Sequence, residues 1–232
     1  MAQKKPKFSV FGTHVVMNPM LSESDRGNHS GRKKQCLQFR FILINTICRC
    51  YGHEQAITYF YPKNRMGIFI RPWTDTDAES LVKYADNILI WNNLRDYFPS
   101  PYTPEHAHDW LEKTVGAEPL INFAIDLEGE AIGGVGLILN GDVYALSAEV
   151  SYWVGEPFWG KGIATEAVRQ LTEYTFYYFN IVRLYAEVFE TNKSSMRVLE
   201  KNGYYLEGLR RKAVFKNNVL MDDYIWVKIR PW

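Results

Sequence analysis

The chain has 232 residues and a formal net charge of +1, with 47% hydrophobic, 23% charged and 15% aromatic residues. That balance lets a core form, which excludes wholesale disorder, and the length suggests one large domain or one domain with an appendage. Its three cysteines, Cys36, Cys48 and Cys50, cannot close a set of bridges, and no apolar run reaches the roughly 18 residues of a membrane span, so a disulfide scaffold and a spanning helix are excluded.

The near-zero charge conceals an asymmetry. Residues 1–65 hold eleven Lys and Arg against three Asp and Glu, a net of +8, while the other 167 hold sixteen against twenty-three, a net of −7. The first ten residues are basic and polar, unlike a secretory signal, which points to a cytoplasmic location. The basic residues of the arm are scattered and no nucleic-acid motif accompanies them, so nucleic-acid binding is not expected. Only 39–47 in this arm reads as a strand. Cys48 and Cys50 with His53 lack the spacing and the second ligand pair of a zinc site, so no metal is expected. The arm reads as a weakly patterned, dispensable extension, and a self-contained unit begins at Met66.

From there the elements follow in order. Residues 68–71 form a first strand stopped by Pro72, and Thr74 caps a helix over 75–87 with acidic residues in its first turn. Thr103 and Pro104 open a helix over 104–114. Strands over 121–126 and 130–139 are joined by a turn at 127–129, and a third strand runs over 145–154. A glycine-rich loop leads into a long helix over 164–179, whose aromatic residues from Tyr174 to Phe179 sit at core spacing. A strand over 183–189, a short helix over 194–201 and closing strands over 204–211 and 223–229 complete the domain. Strands on both sides of helices with hairpins in the middle indicate an α/β (α+β mixed) fold.

The chemistry concentrates where the strand ending at Val154 meets the loop of Gly155, Gly160 and Gly162 and the helix behind it. Glycines admit a ligand close to the backbone, and the first amides of a helix have no partners of their own. With the dipole behind them they form an anion site. Gly155, Gly160 and Lys161 match a P-loop up to its eighth position, where Gly162 replaces the magnesium-binding hydroxyl. The dinucleotide fingerprint fails too, because Gly160 and Gly162 are followed by Thr165 instead of a third glycine. A glycine-rich turn without a ligand remains the other reading.

The run Trp159, Gly160, Lys161, Gly162, Ile163, Ala164 resembles the acetyl-CoA-binding motif of the GNAT family of N-acetyltransferases, departing from it at Trp159, where the family has Arg or Gln. Together with the stretch from Asn192 to Gly208, it is similar to the ribosomal-protein N-terminal (Rim-type) branch, over about residues 67–232. The resemblance implies a central mixed, mostly antiparallel sheet with splayed middle strands, flanked by helices. It implies that the strand at Tyr152, Trp153 and Val154 pairs with the pantetheine of acetyl-CoA, and that the backbone of Gly160, Lys161, Gly162, Ala164 and Thr165 cradles the pyrophosphate. Asn192 would bind the cofactor's arm, and Ser195 would protonate the departing thiolate. Ser195 also reads as a helix-start hydroxyl satisfying backbone, and Leu199 cannot replace the tyrosine that many relatives place in this region.

For the base that deprotonates the amine, Glu149 comes first, with an exposed strand carboxylate as its other reading; Glu187 and Tyr185 follow. His106 and His108 read as surface or acceptor-rim residues, and Asp222 and Asp223 as a pair that could attract a cationic acceptor, with solvated carboxylates ahead of a terminal strand as their other reading. The expected reaction moves an acetyl group to a primary amine, of a small molecule or a protein N-terminus, in a ternary complex. A non-catalytic CoA-binding module with the same fold is the alternative. Acceptor loops over 87–104 and after Arg211 would be lined by Trp91, Tyr97, Phe98 and Tyr102. No membrane partner is expected, and the chain reads as a monomer or a homodimer.

Overall fold

A computed structural model describes residues 67–231 of the chain. The basic arm, its expected strand over 39–47, and Cys48, Cys50 and His53 lie outside the described residues. The elements are β1 (Ile68–Pro72), α1 (Ala78–Ala85), α2 (Ile88–Trp91), α3 (Pro104–Thr114), β2 (Asn122–Leu127), β3 (Glu130–Leu139), β4 (Ser147–Val154), α4 (Ile163–Tyr178), β5 (Arg183–Phe189), α5 (Lys193–Lys201), β6 (Tyr205–Lys216) and β7 (Val219–Ile229). The strands form one sheet in the order β1-β2-β3-β4-β5-β7-β6. Every neighbouring pair is antiparallel except β4 with β5, the mixed sheet that the sequence leads one to expect.

Helices cover both faces. On one face α4 presents Ile163, Ala167, Val168, Leu171 and Tyr174, a stripe at helical spacing, to Val150, Leu184 and Val188 of the sheet. Burying a side chain as fully as Leu171 contributes about 2 kcal/mol. Gln170 sits in this stripe yet is fully satisfied, because it accepts from the Ile70 N–H and donates to the Ile68 carbonyl, both at 3.0 Å. It thereby occupies the free edge of β1. The second face is narrower: Leu81, Ala85, Ala107 and Leu111 of α1 and α3 pack over Ala124 of β2 and Ala131 of β3. Among the described residues, the same face of β4, β5 and β7 has no long helix over it and receives the loop that follows α2.

Three boundaries differ from the sequence reading. The helix expected over 75–87 begins with a 3-10 turn and ends at Ala85, because Asn87 turns extended and accepts the Leu89 N–H, capping α2 instead. The strand expected from 145 begins at Ser147, after a 3-10 turn over Asp142–Tyr144. The segment after Arg211, expected as a loop, is instead the far half of a long β6–β7 hairpin. Its two-residue turn uses Asn217 and Asn218, both with positive φ (54° and 61°), which asparagine tolerates.

Candidate active site

The sheet opens at its centre. β4 and β5 pair only through Ser147, Ala148 and Glu149 against Arg183, Leu184 and Tyr185, although both strands continue beyond. The Gly155 N–H donates to the Ile132 carbonyl at 2.8 Å, which makes Val154 and Gly133 a non-hydrogen-bonded pair. The backbone groups of Val154 and Tyr152 therefore turn away from β3, into the gap, whereas those of Trp153 face β3. One of these gap-facing groups is occupied: the Trp159 indole donates to the Val154 carbonyl at 2.6 Å. The Trp153 side chain packs on the opposite face, against Phe98.

Beyond β4 the loop turns through Gly160 and Gly162, whose φ of 75° and 82° lies in the left-handed region. The first amide of α4 with a partner is that of Glu166, which donates to the Gly162 carbonyl at 3.1 Å. Those of Ile163, Ala164 and Thr165 precede it, at the positive end of the helix. Lys161 is exposed; its ammonium donates to the Pro157 carbonyl at 2.9 Å and lies over the Phe158 ring.

Across the gap, the Tyr152 hydroxyl on β4 meets Ser195 Oγ in the first turn of α5 at 2.7 Å. Burial pushes the Tyr152 phenol well above its ordinary range, so it stays a neutral hydroxyl. The helix start is capped not by Ser195 but by Asn192, whose Oδ1 accepts the Ser195 N–H at 3.1 Å. Leu199 is fully buried in the core.

Glu149, Tyr185, Glu187 and Asp223 share the other face of β4, β5 and β7, by strand alternation and register. Glu149 is only 9% exposed. Burial pushes its carboxyl above the ordinary range, the guanidinium of Arg95 pulls it back, and the carboxylates of Glu187 and Asp223 push it up again. Arg95 Nη2 lies 2.6 Å from Glu149 and 2.9 Å from Glu187. Arg210 continues the chain, from Glu187 at 2.6 Å to Asp223, reached by its Nε at 3.0 Å. Glu149 is thus an enclosed, ion-paired carboxylate and not an exposed one.

Arg95 and Lys216 escaped the sequence reading. Lys216, nearly buried, donates to the Leu94 carbonyl at 2.7 Å and to Asp96 at 2.8 Å, the residues on either side of Arg95. Its ammonium also stands 3.5 Å over the Trp91 ring. No periodicity marks either residue; the only available signal was the Asn217 and Asn218 pair, which places Lys216 at the end of a strand.

The remaining expected residues divide. Tyr102 and Phe98 fill the smaller core, Tyr97 is exposed, and Trp91 stands beside Lys216. His106 Nδ1 accepts the Thr103 N–H at 3.1 Å as part of a capping box, and His108 is exposed. Tyr185 donates a long bond to Asn140 at 3.4 Å. Asp222 and Asp223, read together as a pair, are separated: Asp222 accepts the Lys212 N–H at 2.8 Å, and Asp223 is buried. Among the described residues no group of three or more His, Cys, Asp or Glu is placed to hold a metal ion, and no helix is long and apolar enough to cross a membrane.

Comparison with known proteins bears on this geometry. Residues 68–205 match the family description "Acetyltransferase (GNAT) domain". A probable N-acetyltransferase of Bacillus subtilis is 31% identical over 180 residues, 71% of this chain and 94% of that protein. The spermidine N(1)-acetyltransferase of Escherichia coli K12 is 27% identical over 157 residues, 64% of this chain and 78% of its own. Among solved structures, the ribosomal L7/L12 alpha-N-protein acetyltransferase in complex with coenzyme A superposes with a TM-score of 0.62 at 19% identity, covering 72% of this chain and 96% of that one. The match over more than half of the chain, on a sheet whose central strands part after Glu149, establishes that this protein belongs to the GNAT family and is an N-acetyltransferase.

Proposed function

We propose that the chain transfers the acetyl group of acetyl-CoA to a primary amine by direct attack, with residues 66–232 carrying the activity. The observation that carries this reading is the gap between β4 and β5, which has free backbone groups on its β4 wall, a helix N-terminus at its mouth, and a carboxylate and a hydroxyl on its two faces. The outward groups of Tyr152 and the Val154 N–H fit the amides of a pantetheine arm, which pairs there as an added strand. The amides from Gly160 to Thr165 fit a pyrophosphate. Asn192 keeps its Nδ2 for the same arm, since its Oδ1 caps α5.

Acetyl-CoA supplies the thioester carbon that the amine attacks, so that a C–N bond forms as the C–S bond breaks. Glu149 takes the proton from the attacking nitrogen on the acceptor face; burial suits it to this by raising its basicity. Ser195 gives a proton to the leaving sulfur, and the Tyr152 hydroxyl holds Ser195 Oγ in place. Backbone N–H groups of β4 face the charge that develops on the thioester oxygen. No covalent acyl-enzyme is required, because both substrates meet at the gap.

Calorimetric titration of acetyl-CoA, CoA and ATP-magnesium into the full chain, followed by thiol release on adding amines, tests the reading. Binding of acetyl-CoA and CoA but not ATP-magnesium, with amine-dependent thiol release, is expected. Binding without thiol release from any amine or peptide would leave only a CoA-binding module.

A further inference from the structure

On the β4 wall of the central gap one backbone acceptor is already taken. Val154, at the end of β4, is buried, and a buried carbonyl needs a partner. It finds one in Trp159, whose indole nitrogen donates to it at 2.6 Å. Trp159 is otherwise an outward-lying side chain, 45% exposed, and an indole has a single donor, so this bond is all that it gives. The chain differs on its two sides. Before Trp159, the turn over Glu156–Phe158 is fixed: Asn87 Nδ2 donates to Glu156 Oε2 at 2.6 Å, and the Phe158 ring meets Tyr84 edge-on at 5.2 Å. After it, Gly160 has open space, with no atom of the described residues within 4 Å of where a side chain would begin. The indole can therefore leave Val154 by turning about its own side-chain bonds, while β4 and the turn stay in place.

Resting on the acetyl-CoA reading above, we infer that Trp159 is a placeholder for the pantetheine arm: its indole holds the Val154 carbonyl in the free protein and yields it to an amide N–H of the arm. A strand that joins a sheet edge pairs with both the N–H and the C=O of every second residue along that edge. Full pairing along Tyr152 and Val154 therefore requires the carbonyl that Trp159 occupies. The exchange is one bond for one, so the Val154 carbonyl is satisfied before and after it. In the free protein the same contact closes the end of an unpaired strand wall, which would otherwise accept any extended segment. The nucleotide end of CoA alone, 3′-phospho-ADP, offers a pyrophosphate to the loop amides but no pantetheine amide to Val154. It leaves Trp159 in place.

The test follows the Trp159 indole N–H by NMR on the full chain, isotope-labelled at its tryptophans, with the resonance identified by its loss in Trp159→Phe. In the free protein and with 3′-phospho-ADP the proton is protected from solvent exchange. With acetyl-CoA or CoA bound, that protection is expected to fall about fivefold, the value of one net hydrogen bond. Trp159→Phe keeps a ring and lacks the donor, so calorimetry should find acetyl-CoA bound about fivefold tighter and 3′-phospho-ADP unchanged. The remaining indole resonances report whether the variant is folded. Three results overturn the placeholder while leaving acetyl transfer intact: protection that persists with acetyl-CoA bound, protection lost with 3′-phospho-ADP alone, or unchanged or weaker acetyl-CoA binding in Trp159→Phe. A folded chain that binds neither acetyl-CoA nor CoA overturns both readings together.

Discussion

Arg95 lies 2.6 Å from Glu149 and 2.9 Å from Glu187, so one loop guanidinium ties together the two strands at the point where they part. In the proposed mechanism Glu149 acts as a base only when deprotonated, so activity is expected to fall as pH drops through its pKa. Burial places that pKa above the ordinary glutamate range and Arg95 lowers it. Replacing Arg95 with Gln is expected to move the acidic limb of the kcat/KM profile to higher pH. Arg95→Lys should restore part of the difference. A limb that stays in place in Arg95→Gln would separate Glu149 from the proton transfer.

Glu149→Gln removes the proposed base while keeping its size. The expected loss in kcat is about a hundredfold or more, with the acidic limb flattened. Rapid-quench or steady-state profiles across pH read both effects; a full kcat with an unchanged limb would move the role to Glu187.

Ser195→Ala is expected to lower kcat by about a hundredfold through loss of the proton donor. Tyr152→Phe should lower it less, because Ser195 keeps its hydroxyl and loses only its 2.7 Å partner. The order of the two effects is the informative quantity. Equal losses would make the pair a structural bridge across the gap.

Gly162 holds φ at 82° immediately before α4. A side chain there costs about 1–2 kcal/mol in the left-handed region, so Gly162→Ala should weaken acetyl-CoA binding about tenfold, measured by calorimetry. An unchanged Kd would remove the loop from the cofactor site.

Asp77 anchors the start of the domain by accepting two bonds from Arg71 at 2.7 Å. Burial opposes its charge, but the Arg71 hydrogen bonds win and hold its carboxyl below the ordinary range. Its stabilisation is therefore present above the ordinary carboxylate value and is lost as pH falls through the depressed one. Asp77→Asn should cost about 2 kcal/mol at neutral pH in urea unfolding, with the difference shrinking in acid.

Local signals made most of the fold legible. Thr103 before Pro104, the alternation around Ala148 and Val150, and the stripe from Ile163 to Tyr174 each fix an element within a few neighbouring residues. The β6–β7 hairpin was misread because a bulge interrupts the period of β6 between Arg210 and Val214. The glycine loop was legible for the same reason as the helices: its chemistry lies in consecutive backbone amides, which the sequence places side by side.

Side chains that meet across the sheet are a different matter. By itself the sequence determined the strand-loop-helix unit and the mixed α/β plan, both set by interactions within about a dozen residues. Only the tertiary structure decided that Arg95 meets Glu149 and Glu187, that Lys216 fixes Arg95 from more than a hundred residues away, and that Asp223 is buried while Asp222 is not. Such pairings depend on strand order and register, which hydrogen bonding and burial settle over the whole sheet and no single stretch encodes.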